Sequence, residues 1–263
     1  MSKVIDISNK IEKMAPVFLK EDYDNVGIMV GDPNQSIKKV LFALDCTNEV
    51  IEEAVQNKCD MIIAHHPLFF RKPKSIVKGE LLGDKVFKLI KEDITLYACH
   101  TNLDSAQNGI NETIVKMLGF NSGEIIEPHD RNENKDCGIG RIIRLNDSIS
   151  LDEVIKRIKN NLKIDNLRVA KGREKINTIA VINGSGQDFF NVAERLGADC
   201  IITGDTTYHF VSDYKELGVN IIDAGHFGTE FVVFLKTLEF LKEEFKDIEF
   251  IDSKKSKDPY EFY

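Results

Sequence analysis

Three short stretches of this chain carry residue types that bind metals or move protons, and each follows an apolar run. Ile62-Ile63-Ala64 ends in His65-His66-Pro67, Ala98-Cys99 leads into His100-Thr101-Asn102-Leu103-Asp104, and Ala224-Gly225 leads into His226-Phe227-Gly228-Thr229-Glu230. Where a helix begins, residues four apart share one face, so the imidazole and carboxylate of a His-x3-acid motif converge. Neutral imidazole with carboxylate is a donor set for Zn²⁺, Mn²⁺, Fe²⁺ or Co²⁺. Each stretch alone has a plainer reading, as a surface histidine pair beside a turn or a capping acid next to an ordinary loop histidine. Taken together, four of the six histidines and two acids fall just past three apolar runs, which favours a metal site. With more than four N/O donors and no required thiolate, two ions sharing a bridging carboxylate suit the set better than one. Two ions about 3.5–4 Å apart activate a water and polarise an electrophile.

The apolar runs read as strands, and the segments between them as helices. Lys39–Leu44 is a strand, Thr47 caps a helix to about Asn57, and Asp60–Ala64 is the next strand, which makes a βαβ unit with parallel strands. A helix over 79–91 leads to the strand Ile94–Ala98, and another helix covers 108–119. The N-terminal 3–14 segment spaces Val4, Ile5, Ile7 and Ile11 as a short amphipathic helix. Tyr23–Pro33 is turn-rich, and Asp24 and Asn25 there read first as turn residues, although they could face a site. Past a polar run over 121–137, strands are expected at 138–145, 166–170, 176–182, 199–203 and 219–223. Helices are expected at 151–162 (capped by Ser150), 187–196 and 229–247. All three candidate stretches then sit at C-terminal strand ends, where open α/β sheets bind ligands.

Composition narrows the function classes. At 263 residues with net charge −8 and no long basic cluster, a partner held through phosphate contacts, such as nucleic acid, is disfavoured. The five cysteines, Cys46, Cys59, Cys99, Cys137 and Cys200, are odd in number and form no CxxC, which argues for a reducing compartment and against thiolate metal sites. No run approaches the length of a membrane span or a signal-peptide core, so the expectation is a soluble, cytoplasmic protein.

The halves repeat. VLFALDCTNEVIEEAVQNKCDMIIAHH (40–66) aligns with TIAVINGSGQDFFNVAERLGADCIITGD at an offset of 139, and the His100-x3-Asp104 stretch overlies His226-x3-Glu230 at an offset of 126. A period near half the chain means a duplicated unit rather than a solenoid. The expected fold is α/β, with two similar α/β units over 1–125 and 126–263 and the metal site between them at the strand C-terminal ends. The C-terminal helix, 229–247, is a candidate to pack back on the first unit.

YDNVGIMVGDP, IIAHHP, HTNLDSAQNGIN, ITGDTTYH and GHFGTE, running from Tyr23 to Glu230, resemble the NIF-three-like dinuclear metal-centre family. Bacterial members of that family are commonly named GTP cyclohydrolase 1 type 2 homologs. The resemblance implies two divalent ions (Zn, Fe, Mn, Co or Ni) held by His65, His66, Asp104, His226 and Glu230. Glu230 would bridge, with His65 and Asp104 on one ion and His66 and His226 on the other. His100 lies just outside that set, as a catalytic candidate touching a ligand or the substrate. A toroidal homohexamer is also implied. Tyr23 stands where relatives often carry Trp. The activity expected is hydrolysis of a small-molecule, nucleotide-like substrate, with attack at C8 of guanine in the GTP case and His100 or His209 moving protons. A non-catalytic regulatory or metal-handling module is the alternative. Gly184-Ser185-Gly186 could present amides to a phosphate, but a lone GxG is a weak signal and a simple tight turn accounts for it better.

Overall fold

The computed structural model describes residues 1–130 and 136–262; part of the polar 121–137 run, residues 131–135, lies outside them. The chain divides into two compact units. One comprises Met1–Leu103 with Thr237–Lys257, and the other Asp104–Lys236 with Asp258–Tyr263.

The first unit opens with α1 (Val4–Met14), which buries Val4, Ile7 and Ile11 at helical spacing. The sequence then runs β1 (Gly27–Val30), β2 (Lys39–Ala43), α2 (Asn48–Gln56), β3 (Met61–Ala64), α3 (Leu81–Lys91) and β4 (Thr95–Ala98), and the division between the units falls within the short α4 (Thr101–Ser105). Thr47 caps α2 as its side chain accepts from the Val50 amide. Strands β2, β3 and β4 are parallel and adjacent, and β1 lies antiparallel on β4. Leu41, Ala43, Ile62, Ala64 and Leu96 form a core with Val50, Ile51, Val86 and Leu89 from the two helices.

The second unit holds α5 (Ile110–Met117), β5 (Glu124–Pro128), β6 (Gly138–Ser150), α6 (Leu151–Leu162), β7 (Arg168–Ala170), β8 (Lys175–Ser185), α7 (Phe190–Arg195), β9 (Cys200–Gly204), α8 (Tyr208–Glu216), β10 (Asn220–Asp223) and α9 (His226–Thr237). Its sheet has the order β5-β6-β8-β9-β10-β7, with β8, β9 and β10 parallel and β7 antiparallel on β10. Chain order and pairing therefore repeat: an antiparallel edge strand comes first, then β-α-β-α-β. Two similar α/β units are present, as the repeat predicts. Their first steps match in register, Val40 pairing with Met61 and Ile179 with Cys200. Met61 pairs with Thr95 but Cys200 with Asn220, and the longer step in the first unit is taken up by the loop after His66-Pro67.

Four differences from the expected elements have physical reasons. The single helix expected at 229–247 begins earlier, at His226, and is interrupted at Leu238, so that α9 is followed by α10 (Glu239–Glu244). The supposed charged tail contains β11 (Glu249–Asp252), which pairs parallel with β2 in the first unit's sheet. This is a short edge strand with acids at both ends, a composition that hides its pattern. Helix α8 was not expected because it buries no residue and so shows no apolar stripe. Short β1 and β5 were masked by the turn residues around them.

Removing the α2 cap and hollowing the core should differ in cost. Thr47→Ala is expected to lose about 1 kcal/mol and Ile62→Ala about 2–5 kcal/mol, both read from urea unfolding midpoints.

Candidate metal centre

Each unit gathers its candidate residues at the C-terminal ends of its parallel strands. In the first, β3 delivers His65 and His66 and β4 delivers His100. The three rings pack with centroids 5.1 Å apart for His65–His66, 5.1 Å for His65–His100 and 5.4 Å for His66–His100. One ligand atom from each lies within 4.8 Å of the others. Strand alternation would send neighbours His65 and His66 to opposite faces; both follow the last residue of β3, where the backbone leaves the pleat.

A hydrogen-bond acceptor stands behind His65 and His66, while His100 has a carboxylate close by but no hydrogen-bond partner for its buried Nδ1. His65 Nδ1 lies 2.9 Å from the Cys99 carbonyl, His66 Nδ1 2.8 Å from Asp45 Oδ1, and His100 Nδ1 2.9 Å from Asp24 Oδ1. At His65 and His66 a hydrogen-bond acceptor at Nδ1 selects the Nδ1–H tautomer. Asp24 is only 5% exposed. Burial raises its carboxyl pKa, but the His100 ring and the Thr101 hydroxyl and amide outweigh burial and hold it well below the usual carboxylate range. Phe70, half exposed, sets its ring edge-on to His100 at 5.5 Å.

The second unit supplies the carboxylates. His226 opens α9 and Glu230 lies one turn on, with His226 Nε2 3.0 Å from Glu230 Oε2; His226 Nδ1 is 2.8 Å from Asp205 Oδ2, just past β9. Asn183, near the end of β8, donates its amide to both Asp104 Oδ1 (2.9 Å) and Glu230 Oε1 (3.0 Å). Asn111 on α5 locks that amide, donating to Asn183 Oδ1 at 2.7 Å and accepting from the Asn183 backbone amide at 3.0 Å. Two buried acids are thus held by one amide, with Glu230 2% exposed. A Cβ on Gly184 would collide with Glu230 Oε1 and approach His226 Cε1 to 3.4 Å, and the residue's φ of +56° suits glycine.

The structure therefore groups His65, His66 and His100 in the first unit and Asp104, His226 and Glu230 in the second. The phosphate reading of Gly184-Ser185-Gly186 is displaced. The Gly184 amide donates to Thr229 Oγ1 and the Gly186 amide to Thr203 Oγ1, and the motif instead makes room for Glu230. His209 is exposed on α8, against Tyr208. Residues that sequence reasoning passed over are Asp45, Asp205, Asn183 and Asn111. The first two had a signal, since an acid one or two positions past a strand faces the same edge as the histidines.

The Duf34/NIF3 (NGG1p interacting factor 3) family model matches residues 2–259. The chain belongs to this family. It is 53% identical to a Clostridium perfringens GTP cyclohydrolase 1 type 2 homolog, across 99% of both chains, and 48% identical to the homolog of the same name from Clostridium acetobutylicum, across 99% of this chain and 98% of the relative. Among solved structures it is similar to a Bacillus cereus protein related to NIF3 (TM-score 0.90, 25% identity, 100% of this chain and 99% of that one). It is also similar to reduced HcgD from Methanocaldococcus jannaschii (TM-score 0.82, 31% identity, 95% and 97%).

The donor chemistry fits a metal. Histidine ligands of metals characteristically donate their second ring nitrogen to a carboxylate or carbonyl, and His65, His66 and His226 each have that acceptor within hydrogen-bond distance. The buried thiols do not fit: burial pushes Cys46 up to about 12 and Cys59 up to about 11. No helix among the described residues is long and apolar enough to cross a membrane.

Gly184→Ala should cost about 1–3 kcal/mol through the positive φ and the overlap with Glu230. Ser185→Ala next to it, exposed, should stay within about 0.5 kcal/mol. Thermal melting of the two variants checks the contrast.

Proposed function

We propose that this protein binds two divalent metal ions through His65, His66, Asp104, His226 and Glu230, and that it is a metal-dependent hydrolase of a nucleotide-like small molecule. The observation that carries the proposal is the acceptor behind Nδ1 of His65, His66 and His226, the outer support that metal-binding histidines characteristically have, together with the buried Glu230 carboxylate 3.0 Å from His226 Nε2. Glu230, buried and held by Asn183 through one oxygen, keeps the other near His226, as a bridging carboxylate requires. The names of the curated relatives support a nucleotide substrate.

Bound ions would supply Lewis acidity and lower the pKa of a water. The remaining work belongs to the chain's own side chains. His100, set beside His65 and His66, takes or returns a proton at Nε2. Phe70 offers an exposed aromatic surface next to that ring, against which a planar base can rest. Asn183 keeps Asp104 and Glu230 oriented before any ligand arrives, so little reorganisation accompanies binding.

Free, mostly buried cysteines support a cytoplasmic setting. The family resemblance supports a homohexamer, which light scattering reads directly.

Elemental analysis of protein purified without added metal should return close to two equivalents. His66→Ala and Glu230→Gln should lose at least one of them, and Asp45→Asn should weaken metal affinity by about 10–100-fold. Hydrolysis of GTP and related nucleotides should vanish on chelation and return with metal. Stoichiometric metal without turnover on any nucleotide would leave the metal-handling alternative standing and reject the hydrolase.

A further inference from the structure

The loop that follows the histidine pair carries four cations and no acid. Arg71, Lys72, Lys74 and Lys78 fall within eight residues, and neither Asp nor Glu occurs between Asp60 and Glu80, so a chain of net charge −8 has a local excess of positive charge here. All four are exposed, and among the described residues none enters an ion pair, whereas Lys39, Lys88 and Arg173 each meet a carboxylate. The loop is fastened at both ends. Asn25 donates its side-chain amide to the Phe69 carbonyl at 2.9 Å, and the Gly79 amide donates to Asp84 Oδ1 at 2.8 Å. Helix α3 lies so close that a Cβ on Gly83 would overlap the Val77 carbonyl. Between these anchors Pro73 and Ile76 line an apolar cavity with Val86 and Leu89, which leaves their charged neighbours to solvent. Phe70 begins the stretch, with its ring edge-on to His100 at 5.5 Å.

We propose that Arg71, Lys72 and Lys74 bind the phosphate groups of the substrate, so that the protein selects a phosphorylated nucleotide over its nucleoside. That the ligand is a nucleotide rests on the function proposed above; that the loop holds an anion does not. Chain geometry gives the reason. A residue advances the backbone by at most about 3.6 Å, so Lys74 lies within about 14 Å of Phe70 along the chain. A base resting on the Phe70 ring would trail its phosphates along this loop. Arginine presents a planar fork of donors to phosphate oxygens, and lysine a mobile point charge. Asp32 and Asp93, the two acids that line the cavity, sit at the end of β4 away from His100. The field beside Phe70 is therefore set by the cations, and it draws anions toward the histidine edge of an otherwise acidic protein.

The test reads binding rather than turnover, by isothermal titration of the full chain with GTP, GMP and guanosine at low ionic strength. Arg71→Gln, Lys72→Gln and Lys74→Gln combined should weaken GTP binding about 10-fold, GMP binding less and guanosine binding not at all. The same variant should lose less GTP affinity than wild type when salt is added. The charge-keeping set Arg71→Lys, Lys72→Arg and Lys74→Arg should restore most of the affinity. Lys171→Gln, Lys175→Gln and Lys215→Gln combined remove the same charge from exposed sites of the second unit and should bind GTP as wild type does. Unchanged GTP affinity in the loop variant, an equal loss for guanosine, or an equal loss in the second-unit variant overturns the proposal. So does a wild type that binds guanosine as tightly as GTP. Turnover is assayed separately. A protein that hydrolyses no nucleotide yet shows loop-dependent GTP affinity refutes the hydrolase and not the anion site, and hydrolysis with unchanged affinity in the loop variant refutes the anion site alone.

Discussion

A histidine ring on a strand end can turn freely, and a ring that turns cannot define a site. The constraint on which everything else depends here is an acceptor placed at Nδ1 behind three of the rings: the Cys99 carbonyl for His65, Asp45 for His66 and Asp205 for His226. Each acceptor restrains its ring, and at His226 the other nitrogen, Nε2, faces the Glu230 carboxylate at 3.0 Å. The entropy of ordering is spent in folding and not again on binding.

The two units share a topology but divide the chemistry. Parallel strands with short connections put loop residues at one edge in both. In the first unit that edge carries three imidazoles, and in the second it carries His226 and Glu230, with Asn183 joining Glu230 to Asp104 of α4. The second unit's compact geometry needs Gly184, because no side chain fits between β8 and Glu230. Hydrogen-bonded register equates Ala64 with Thr203 and Ala98 with Asp223, so the second copy inserts one more residue between strand end and histidine than the 126-residue offset assumes. His226 thereby starts α9 and sits directly above Glu230.

Much of this was legible in the sequence, for reasons that also mark where legibility ended. Fully buried parallel strands such as Met61–Ala64 and Cys200–Gly204 read as unbroken apolar runs, and Thr47 and Ser150 announce their helices by capping. The histidines stood out by type and by position after those runs. Asn183 and Asn111 did not, since an asparagine that joins two acids looks like any turn asparagine until its partners are known. Asp24 was read first as a turn residue, and it is one; that it also accepts from the amide and hydroxyl of Thr101, distant in sequence, is something local patterning does not reveal. Strand β11 and helix α8 failed to show for a related reason, as neither carries enough buried apolar surface to impose a period.

The central claim is that these histidines are held at Nδ1 in order to coordinate through Nε2. The most direct measurement is anomalous diffraction from crystals loaded with zinc. The account predicts density about 2.0–2.1 Å from Nε2 of His65, His66 and His226, with Nδ1 of each still on Cys99, Asp45 and Asp205. Zinc bound at Nδ1, or crystals that take up zinc elsewhere and leave these three rings untouched, would contradict it.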